Sequence, residues 1–196
     1  PPRSTLFPYT TLFRSGGTAA GVYRQSVILT QTRLRVDADL TDKVSATIAL
    51  INERVWGSNA TTDEQGIDLN LAYVTMKEML YSPLTVKIGR QNFAFGNSFV
   101  IDSAGTNNSA PAESGLDSVA EDLTKQTAQD AIRLTFDYDP LTVDVLYASI
   151  DQNTVSGTIK SDNIDLYGMN LNYQFNDEKD SVAEVYFWVK DDKTTN

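Results

Sequence analysis

The sequence predicts an all-β chain of about eight strands, an antiparallel fragment of a larger up-and-down transmembrane β-barrel. Three observations lead to this fold class. Apolar and polar side chains alternate with a two-residue period over most of the chain. The connections between the alternating segments are short and long in turn, as in outer-membrane barrels. Several segments also reach the roughly 9 to 11 residues that a strand needs to cross a membrane, whereas strands of globular proteins usually hold about 5 to 6.

The first two predicted strands show the alternation most clearly. Over positions 28–40 the even residues are mainly apolar, while the odd residues include two arginines and two aspartates. The pattern returns over positions 44–50, so each strand has one apolar and one polar face. In the third segment Leu69 and Leu71 are expected on one face, opposite Asp68 and Asn70. The segments that follow the first two are 67–73, 84–89, 132–137, 142–145, 169–175 and 183–190.

The connections alternate strictly in length. Short joins, rich in Asp, Asn, Pro or Ser, are predicted at 41–43, 81–83, 138–140 and 176–180. Long polar loops are predicted at 57–66, about 97–129 and 152–163. Within the longest loop, residues 112–126 have apolar positions at helical spacing, which predicts a short helix that plugs or gates the barrel mouth. The alternative for this loop is a solvated outer loop.

Aromatic residues lie near the ends of the predicted strands, where amphipathic rings favour the boundary between membrane and water. They are Trp56, Tyr81, Phe136, Tyr138, Tyr173, Phe175, Phe187 and Trp188. The alternative is that these rings fill the core of a soluble protein. Closing the sheet into a barrel would also remove the free edges of such long strands.

Residues 1–15 are expected to differ in origin from the rest. Read codon by codon, the stretch PPRSTLFPYTTLFRS matches a translated short-read sequencing adapter over its whole length. We therefore predict that residues 1–15 are an artefact, and that residues 16–196 are the N-terminal part of an outer-membrane β-barrel, incomplete at both ends. On this interpretation the lack of a visible signal peptide says nothing about the compartment.

Composition narrows the function classes. Without Arg3 and Arg14, 14 basic residues stand against 26 acidic ones, a formal charge of −12, which makes nucleic acid a poor partner. With 0 Cys and 0 His the chain offers no thiolate zinc site and no imidazole base. We predict no enzyme and no cofactor. Acidic loop residues such as Asp63, Glu64 and Asp151 are candidates for calcium, but their spacing fits no calcium-loop motif.

A family resemblance becomes specific in the third and fourth segments. Residues 67–80 (IDLNLAYVTMKEML) and 83–101 (PLTVKIGRQNFAFGNSFVI) resemble the alginate-export family of bacterial outer-membrane porins, with GRQN at 89–92 as the most specific motif. Further similar stretches are 32–36, 52–57, 131–144 and 165–168. The resemblance implies a closed barrel of many more strands in the cell outer membrane, in contact with lipid and lipopolysaccharide and inserted by the barrel-assembly machinery. It also implies a channel for anionic polyuronate, lined by basic side chains.

Basic side chains in this sequence fit such a channel. Guanidinium groups that face water can pass carboxylates along by paired hydrogen bonds. The candidate substrate-binding residues are Arg33, Arg35, Lys87 and Arg133 on the polar faces, Arg54 and Arg90 near strand ends, and Gln91 beside Arg90. Acidic residues share the same faces, namely Asp37, Asp39, Glu53, Asp137, Asp144 and Glu184. The alternative is therefore a wall of mutually neutralising charges, through which other small solutes pass.

The motif at 89–92 supports two interpretations. Gly89 either lets a folded-in loop approach closely or marks a bulge or kink, which is the commoner role of glycine in a strand. Arg90 has the same parity as Val86 and Ile88, so it would need a bulge to point towards the channel. With a bulge, Arg90 and Gln91 would lie at a constriction.

Two other function classes stay open. A soluble β-sandwich that binds carbohydrate would use Asn, Asp and aromatic residues on its faces. It would cover its apolar face with a second sheet, whereas a barrel exposes that face to lipid, so detergent dependence of the folded state separates the two. An outer-membrane hydrolase would need a base that no spacing in this sequence recommends.

Overall fold

Nine antiparallel strands form one sheet in the computed structural model of the chain, which describes residues 3–15, 25–55, 67–78, 81–96, 98, 100–101, 128–154 and 161–192. The strands are β1 (Arg3–Ser15), β2 (Gln25–Thr41), β3 (Val44–Val55), β4 (Asp68–Lys77), β5 (Leu84–Gln91), β6 (Gln129–Asp137), β7 (Leu141–Thr154), β8 (Ser161–Gln174) and β9 (Val182–Asp192). The all-β prediction is confirmed, and its eight strands are β2 to β9.

Each strand pairs with its neighbours in sequence, from β1 to β9, which is the predicted up-and-down order. Short connections join β2 to β3, β4 to β5, β6 to β7 and β8 to β9, and all of them lie at the same end of the strands. Among the described residues no ladder joins β9 back to β1, so the sheet is open. That same part of the chain contains no helix long and apolar enough to cross a membrane.

Strand β1 lies at one side of the sheet and pairs with β2 from Arg3 opposite Asp37 to Ser15 opposite Gln25. A free edge offers a row of unpaired donors and acceptors to any neighbouring segment with β-forming residues. Pairing therefore does not distinguish a native strand from an appended one. The adapter origin of residues 1–15 stays a prediction.

The two faces of the sheet differ as predicted. The apolar face carries large hydrophobic side chains that remain exposed, among them Phe187 at 66% and Ile48 at 52%. The polar face carries Arg35, Lys87 and Arg133. The apolar face, which a soluble sheet would bury, is thus exposed.

A bulge in the β3–β4 ladder changes the predicted faces of β4. The register shifts between Ala49 and Leu50, so one residue of β4 is left over. Leu69 is 48% exposed, whereas Leu71 is 1% exposed and its neighbour Asn70 is also buried. The expectation that Leu69 and Leu71 share one face, opposite Asn70, is wrong because strict alternation fails across a bulge.

The third predicted loop is shorter than expected. Residues 152–154 continue β7 and residues 161–163 begin β8, so half of the predicted loop 152–163 is strand and Asp151 lies within β7. The pairing of β7 with β8 continues into this extension after a register shift between Ser149 and Asp151. The predicted helix 112–126, the loop residues Asp63 and Glu64, and Trp56 lie outside the described residues.

Aromatic rings cluster beside the short turns. Tyr81 contacts Phe136 at 6.2 Å, and Phe136 stacks on Tyr138 at 6.4 Å. Tyr173 meets Phe175 edge-on at 5.1 Å in the neighbouring hairpin. Such rings suit the boundary between an apolar layer and water.

Other aromatic pairs lie away from the short turns. Tyr147 and Tyr167, at 5.2 Å, mark the apolar face nearer the long loops. Trp188 departs from its predicted place at a boundary, because its ring covers Gly168 on the polar face and contacts Phe95.

Candidate functional site

Register alone brings the central residues of the polar face together. At one level across the sheet, Thr75 faces Lys87, Lys87 faces Arg133, and Arg133 faces Leu146. Directly opposed residues in an antiparallel pair have Cβ atoms roughly 4.5–5.5 Å apart. Residues far apart in sequence therefore form one wall.

Arg35, Asp37 and Thr47 form the first charged group of this wall, the Arg35 cluster. Arg35 donates two hydrogen bonds of 2.8 Å to Asp37, from Nε to Oδ2 and from Nη2 to Oδ1. The Thr47 hydroxyl donates to Asp37 Oδ1 at 2.7 Å. The positive charge of Arg35 is thus compensated by a carboxylate on its own strand.

Arg133, Asp144 and Thr135 form the second group, the Arg133 cluster. Arg133 Nε donates to Asp144 Oδ1 at 2.8 Å, and the Thr135 hydroxyl donates to the same oxygen. The Asp144 side chain is only 6% exposed. Arg35 and Arg133, two of the candidate substrate-binding arginines, are therefore ion-paired, which supports the neutralised-wall alternative for these two residues.

Lys87 lies beside the Arg133 cluster and has a different environment. Its Nζ lies 4.8 Å from the centre of the Tyr73 ring, a cation–π contact. No described carboxylate comes within 4.0 Å of Nζ. Lys87 also directly faces Arg133, and like charges in that arrangement repel. The wall consequently carries a local excess of positive charge at Lys87.

Among the other candidate residues, Arg90 does not join this centre. Arg90 lies on the apolar side of β5, where its Nε donates to the Leu69 carbonyl at 3.1 Å and its guanidinium lies 3.9 Å from Asp130. Arg54 pairs with Thr30 in the register, and its side chain lies outside the described residues. Arg33 occupies a polar-face position in β2, opposite Ile51.

Gln91 has polar-face parity but is closed off from solvent. Its exposure is 0%, and its Nε2 donates to the Ala131 carbonyl at 3.0 Å. It therefore ties β5 to β6 rather than lining an open surface. The predicted constriction by Arg90 and Gln91 is not formed by their side chains.

Gly89 has a strained backbone without a bulge. Its φ is +121°, and both ladders of β5 continue through it without a register shift. A Cβ at this position would lie 2.2 Å from the Ala72 carbonyl oxygen. Only glycine tolerates this close approach of β4. The bulge that would turn Arg90 towards the polar face is absent from these two ladders.

Residues 92–96, 98 and 100–101, which we call the inward segment, fold back over the polar face. Phe93 and Phe95 are buried against Ala131, Leu146 and Ala148. A signal for this packing was present in the sequence. The two-residue period continues past β5 with its apolar parity reversed, from Val86 and Ile88 to Phe93 and Phe95.

The inward segment reaches as far as β9. The Gly96 amide donates to Glu184 Oε1 at 2.9 Å, and the Phe95 ring lies 5.0 Å from that of Trp188. The Arg133 guanidinium lies 4.9 Å from the Phe95 ring centre on the same side. The segment thus covers the Arg133 cluster with an aromatic ring.

Comparison with models of known protein families gives no match for this chain, and no curated protein matches it either. Within the described ranges, no three Asp or Glu side chains converge as a metal site would require. On the described wall, Lys87 Nζ thus has no described carboxylate within 4.0 Å, while the neighbouring Arg35 and Arg133 are ion-paired.

Proposed function

We propose that this chain is part of an outer-membrane porin, a passive channel for anionic saccharides of the alginate-like polyuronate type or for other small acidic solutes. Its relationship to the alginate-export family, whose sequence motifs it resembles, belongs to the same proposal. The observation that carries it is the contrast between the faces. The exposed face is apolar, with Phe187 and Ile48 more than half exposed. The opposite face carries Arg35, Lys87, Arg133 and the chain's own inward segment.

The aromatic positions support a membrane setting. Tyr167 lies on the apolar side of β8, and Phe175, eight residues further on, directly follows the end of that strand. At about 3.3 Å per residue this is roughly 26 Å along the chain. A strand tilt of about 40° reduces it to roughly 20 Å, comparable to the apolar band of about 25 Å in outer-membrane barrels. The lipid-facing partners of this surface would be membrane lipid and lipopolysaccharide.

The polar face supports preference for anions through Lys87. Arg35 and Arg133 are paired with Asp37 and Asp144, whereas no described carboxylate lies within 4.0 Å of Lys87 Nζ. A weakly held carboxylate at such a point enters and leaves readily, which conduction requires. The net acidity of the whole chain does not oppose this, because selectivity depends on the charges at the narrow part of a pore.

Several features of the proposal follow from the barrel class. Insertion would need the barrel-assembly machinery, and passage of solute needs no cofactor and no enzymatic step. Nucleic acid is not a partner.

The experiment starts with long, adapter-free reads across both ends of the locus. The full-length protein is then expressed, located by membrane fractionation and reconstituted in planar lipid bilayers. We expect an outer-membrane protein whose single channels have a reversal potential favouring chloride over potassium. A protein that folds without detergent and forms no channels would refute the porin, and a soluble β-sandwich that binds carbohydrate would then be the better account.

A further inference from the structure

We propose that Tyr147 and Tyr167 form an oxidative modification site, at which a peroxide acting in one-electron steps joins the two rings as dityrosine. Asp165 is the proton acceptor of this site. The inference goes beyond the proposed function and does not depend on it, because it concerns covalent chemistry on the apolar face. The chain contains 0 Cys, so a disulfide cannot supply such a link between its strands.

The ladder of β7 and β8 holds the two tyrosines side by side. Tyr147 lies directly opposite Tyr167 in the register, and their ring centroids are 5.2 Å apart with an interplanar angle of 41°. This separation is at the short end of the roughly 4.5–7 Å found for aromatic pairs, so atoms of the two rings lie near van der Waals contact. Two phenoxyl radicals formed here can therefore couple without first meeting by diffusion.

Asp165 supplies the base that oxidation of a phenol needs. A tyrosine that loses an electron becomes a strong acid, so a positioned proton acceptor makes the loss of the electron easier. The Tyr147 hydroxyl donates to Asp165 Oδ1 at 3.1 Å, which is within the reach of a general base. Asp165 is 7% exposed, and Asp191 lies directly opposite it in the ladder of β8 and β9. A second carboxylate therefore borders the point to which the proton moves.

The surroundings of the pair leave the phenols open to an oxidant. Tyr147 is 38% exposed and Tyr167 is 45% exposed. Across the neighbouring ladders, Tyr147 faces Ile132 of β6 and Tyr167 faces Val189 of β9. Aliphatic side chains of this kind do not compete for a one-electron oxidant. An oxidant that reaches this part of the apolar face thus meets two phenols in contact.

The reaction balances with one peroxide for each link. Each phenol gives up one electron and one proton, and the proton of Tyr147 passes to Asp165 and then to water. The two radicals form a carbon–carbon bond between the ring carbons next to the hydroxyl groups. The hydrogens on those carbons move to the oxygens, which restores both hydroxyl groups. Hydrogen peroxide takes up two electrons and two protons, its oxygen–oxygen bond breaks, and two molecules of water form.

The test treats the full-length protein in lipid vesicles with hydrogen peroxide and haemin, which supplies one-electron steps within the membrane. Protease digestion and tandem mass spectrometry then identify a joined pair of peptides, lighter by two hydrogen atoms than their sum. We expect the link in the wild type and its absence in Tyr147→Phe and Tyr167→Phe, which keep the rings but cannot form phenoxyl radicals. The matched control is Tyr173→Phe, because Tyr173 is also on β8 but contacts Phe175, which has no hydroxyl. The control should form as much of the link as the wild type.

Asp165→Asn separates proton transfer from geometry. The amide keeps the shape of the side chain and still accepts a hydrogen bond, but it is a far weaker base. We expect the initial rate of linking to fall about tenfold or more near neutral pH. The rate of this variant should recover as the pH approaches the tyrosine pKa of roughly 10, because solvent then removes the proton. A merely structural role of Asp165 would lower the rate at every pH.

Equal yields of the link in the wild type and in Tyr167→Phe would overturn the proposal, as would oxidation confined to Met169 with both tyrosines intact. If Tyr147→Phe does not fold, Tyr167→Phe decides by itself, since it keeps the hydrogen bond between Tyr147 and Asp165. A wild-type rate in Asp165→Asn would overturn the role of Asp165. Because the readout is a mass, the result is independent of whether the protein conducts.

Discussion

The Arg35 and Arg133 clusters have the same chemistry but different surroundings. Each joins an arginine, an aspartate and a threonine through one carboxylate that accepts from both partners. In the first, the aspartate side chain is 39% exposed, and in the second it is 6% exposed. We attribute the difference to the inward segment, whose Phe95 ring lies over Arg133 and whose neighbouring side chains pack on the wall beside it.

This contrast shows how one loop changes the energetics of an ion pair that the strands provide. Covering a pair removes water, which strengthens the attraction between its charges and raises the cost of leaving one of them alone. An exposed pair is screened by solvent and contributes little. The same three residue types are thus expected to be a stability determinant under the inward segment and a tunable surface outside it.

The largest expected effect is the loss of the covered carboxylate. We predict that Asp144→Ala lowers the free energy of unfolding by about 3–5 kcal/mol, because Arg133 keeps its charge in a covered site without its partner. The matched change Asp37→Ala should cost about 0–1 kcal/mol. Urea or guanidinium unfolding of the full-length protein in lipid vesicles measures both. Equal losses would show that coverage by the inward segment does not separate the clusters.

A second prediction tests whether Phe95 is the cause of the difference. In a Phe95→Ala background, solvent reaches the Arg133 cluster, so Asp144→Ala should cost less than it does alone. A double-mutant cycle on unfolding free energies should give a coupling of about 1–2 kcal/mol between the two sites. The same cycle between Phe95 and Asp37 should give a coupling near zero. Additivity within error for Phe95 and Asp144 would assign the burial of Asp144 to other neighbours.

A third prediction concerns the cation beside the two clusters. Lys87→Gln removes the repulsion between two directly opposed cations, so we expect a stabilisation of about 0.2–1 kcal/mol. The same change should shift the reversal potential of the channel away from chloride, since the uncompensated charge is gone. Lys43→Gln is the control, because Lys43 lies in a short turn and its Nζ is paired with a Glu78 carboxylate oxygen 3.2 Å away. A variant that loses stability and keeps its anion preference would contradict both expectations.

The smallest effect lies outside both clusters, at the short turns. The backbone amide and the hydroxyl of Ser181 both donate to Asp177, which lowers the pKa of that carboxyl below its usual value. Hydrogen bonds from Lys43, with the larger effect, and from Ser82 likewise lower the pKa of Glu78. A lowered pKa means that each group stabilises the fold above its unfolded pKa of roughly 4 and loses that contribution as the pH falls through its folded value.

Asp177→Asn should therefore show less loss of stability than the wild type between about pH 5 and the folded pKa. Its thermal midpoint near neutral pH should be slightly lower, since the charged acceptor is gone. Thermal unfolding in vesicles across this pH range measures the difference. Parallel pH profiles for the variant and the wild type would mean that this turn does not contribute.

Sequence reasoning worked where the chain obeys local rules. Eight strands and their short turns were predictable, because side chains alternate across a pleated strand and because Asp, Asn and Pro favour turns. It failed at positions that depend on neighbouring strands. The bulge between Ala49 and Leu50 changed the faces of β4, and the ladders of β5 ran unbroken through Gly89 and left Arg90 on the apolar side.

The candidate site was predictable only in part. Lys87, Arg35 and Arg133 were placed on the polar face from their parity alone, but parity does not reveal which cation has a carboxylate beside it. That depends on cross-strand register, which sets Asp144 beside Arg133 from another strand. Phe95 was missed because its partners, Ala148 and Trp188, are distant in sequence and small or aromatic rather than charged.

The sequence by itself determined the all-β class, the sidedness of the strands other than β4 and the positions of the short connections, since each follows from side-chain period and turn chemistry within a few residues. Only the tertiary structure decided which charges are compensated, which of two like clusters is covered and where the segment after β5 goes. Those features arise from contacts between residues far apart along the chain, and their energies depend on how much water the packed neighbours leave.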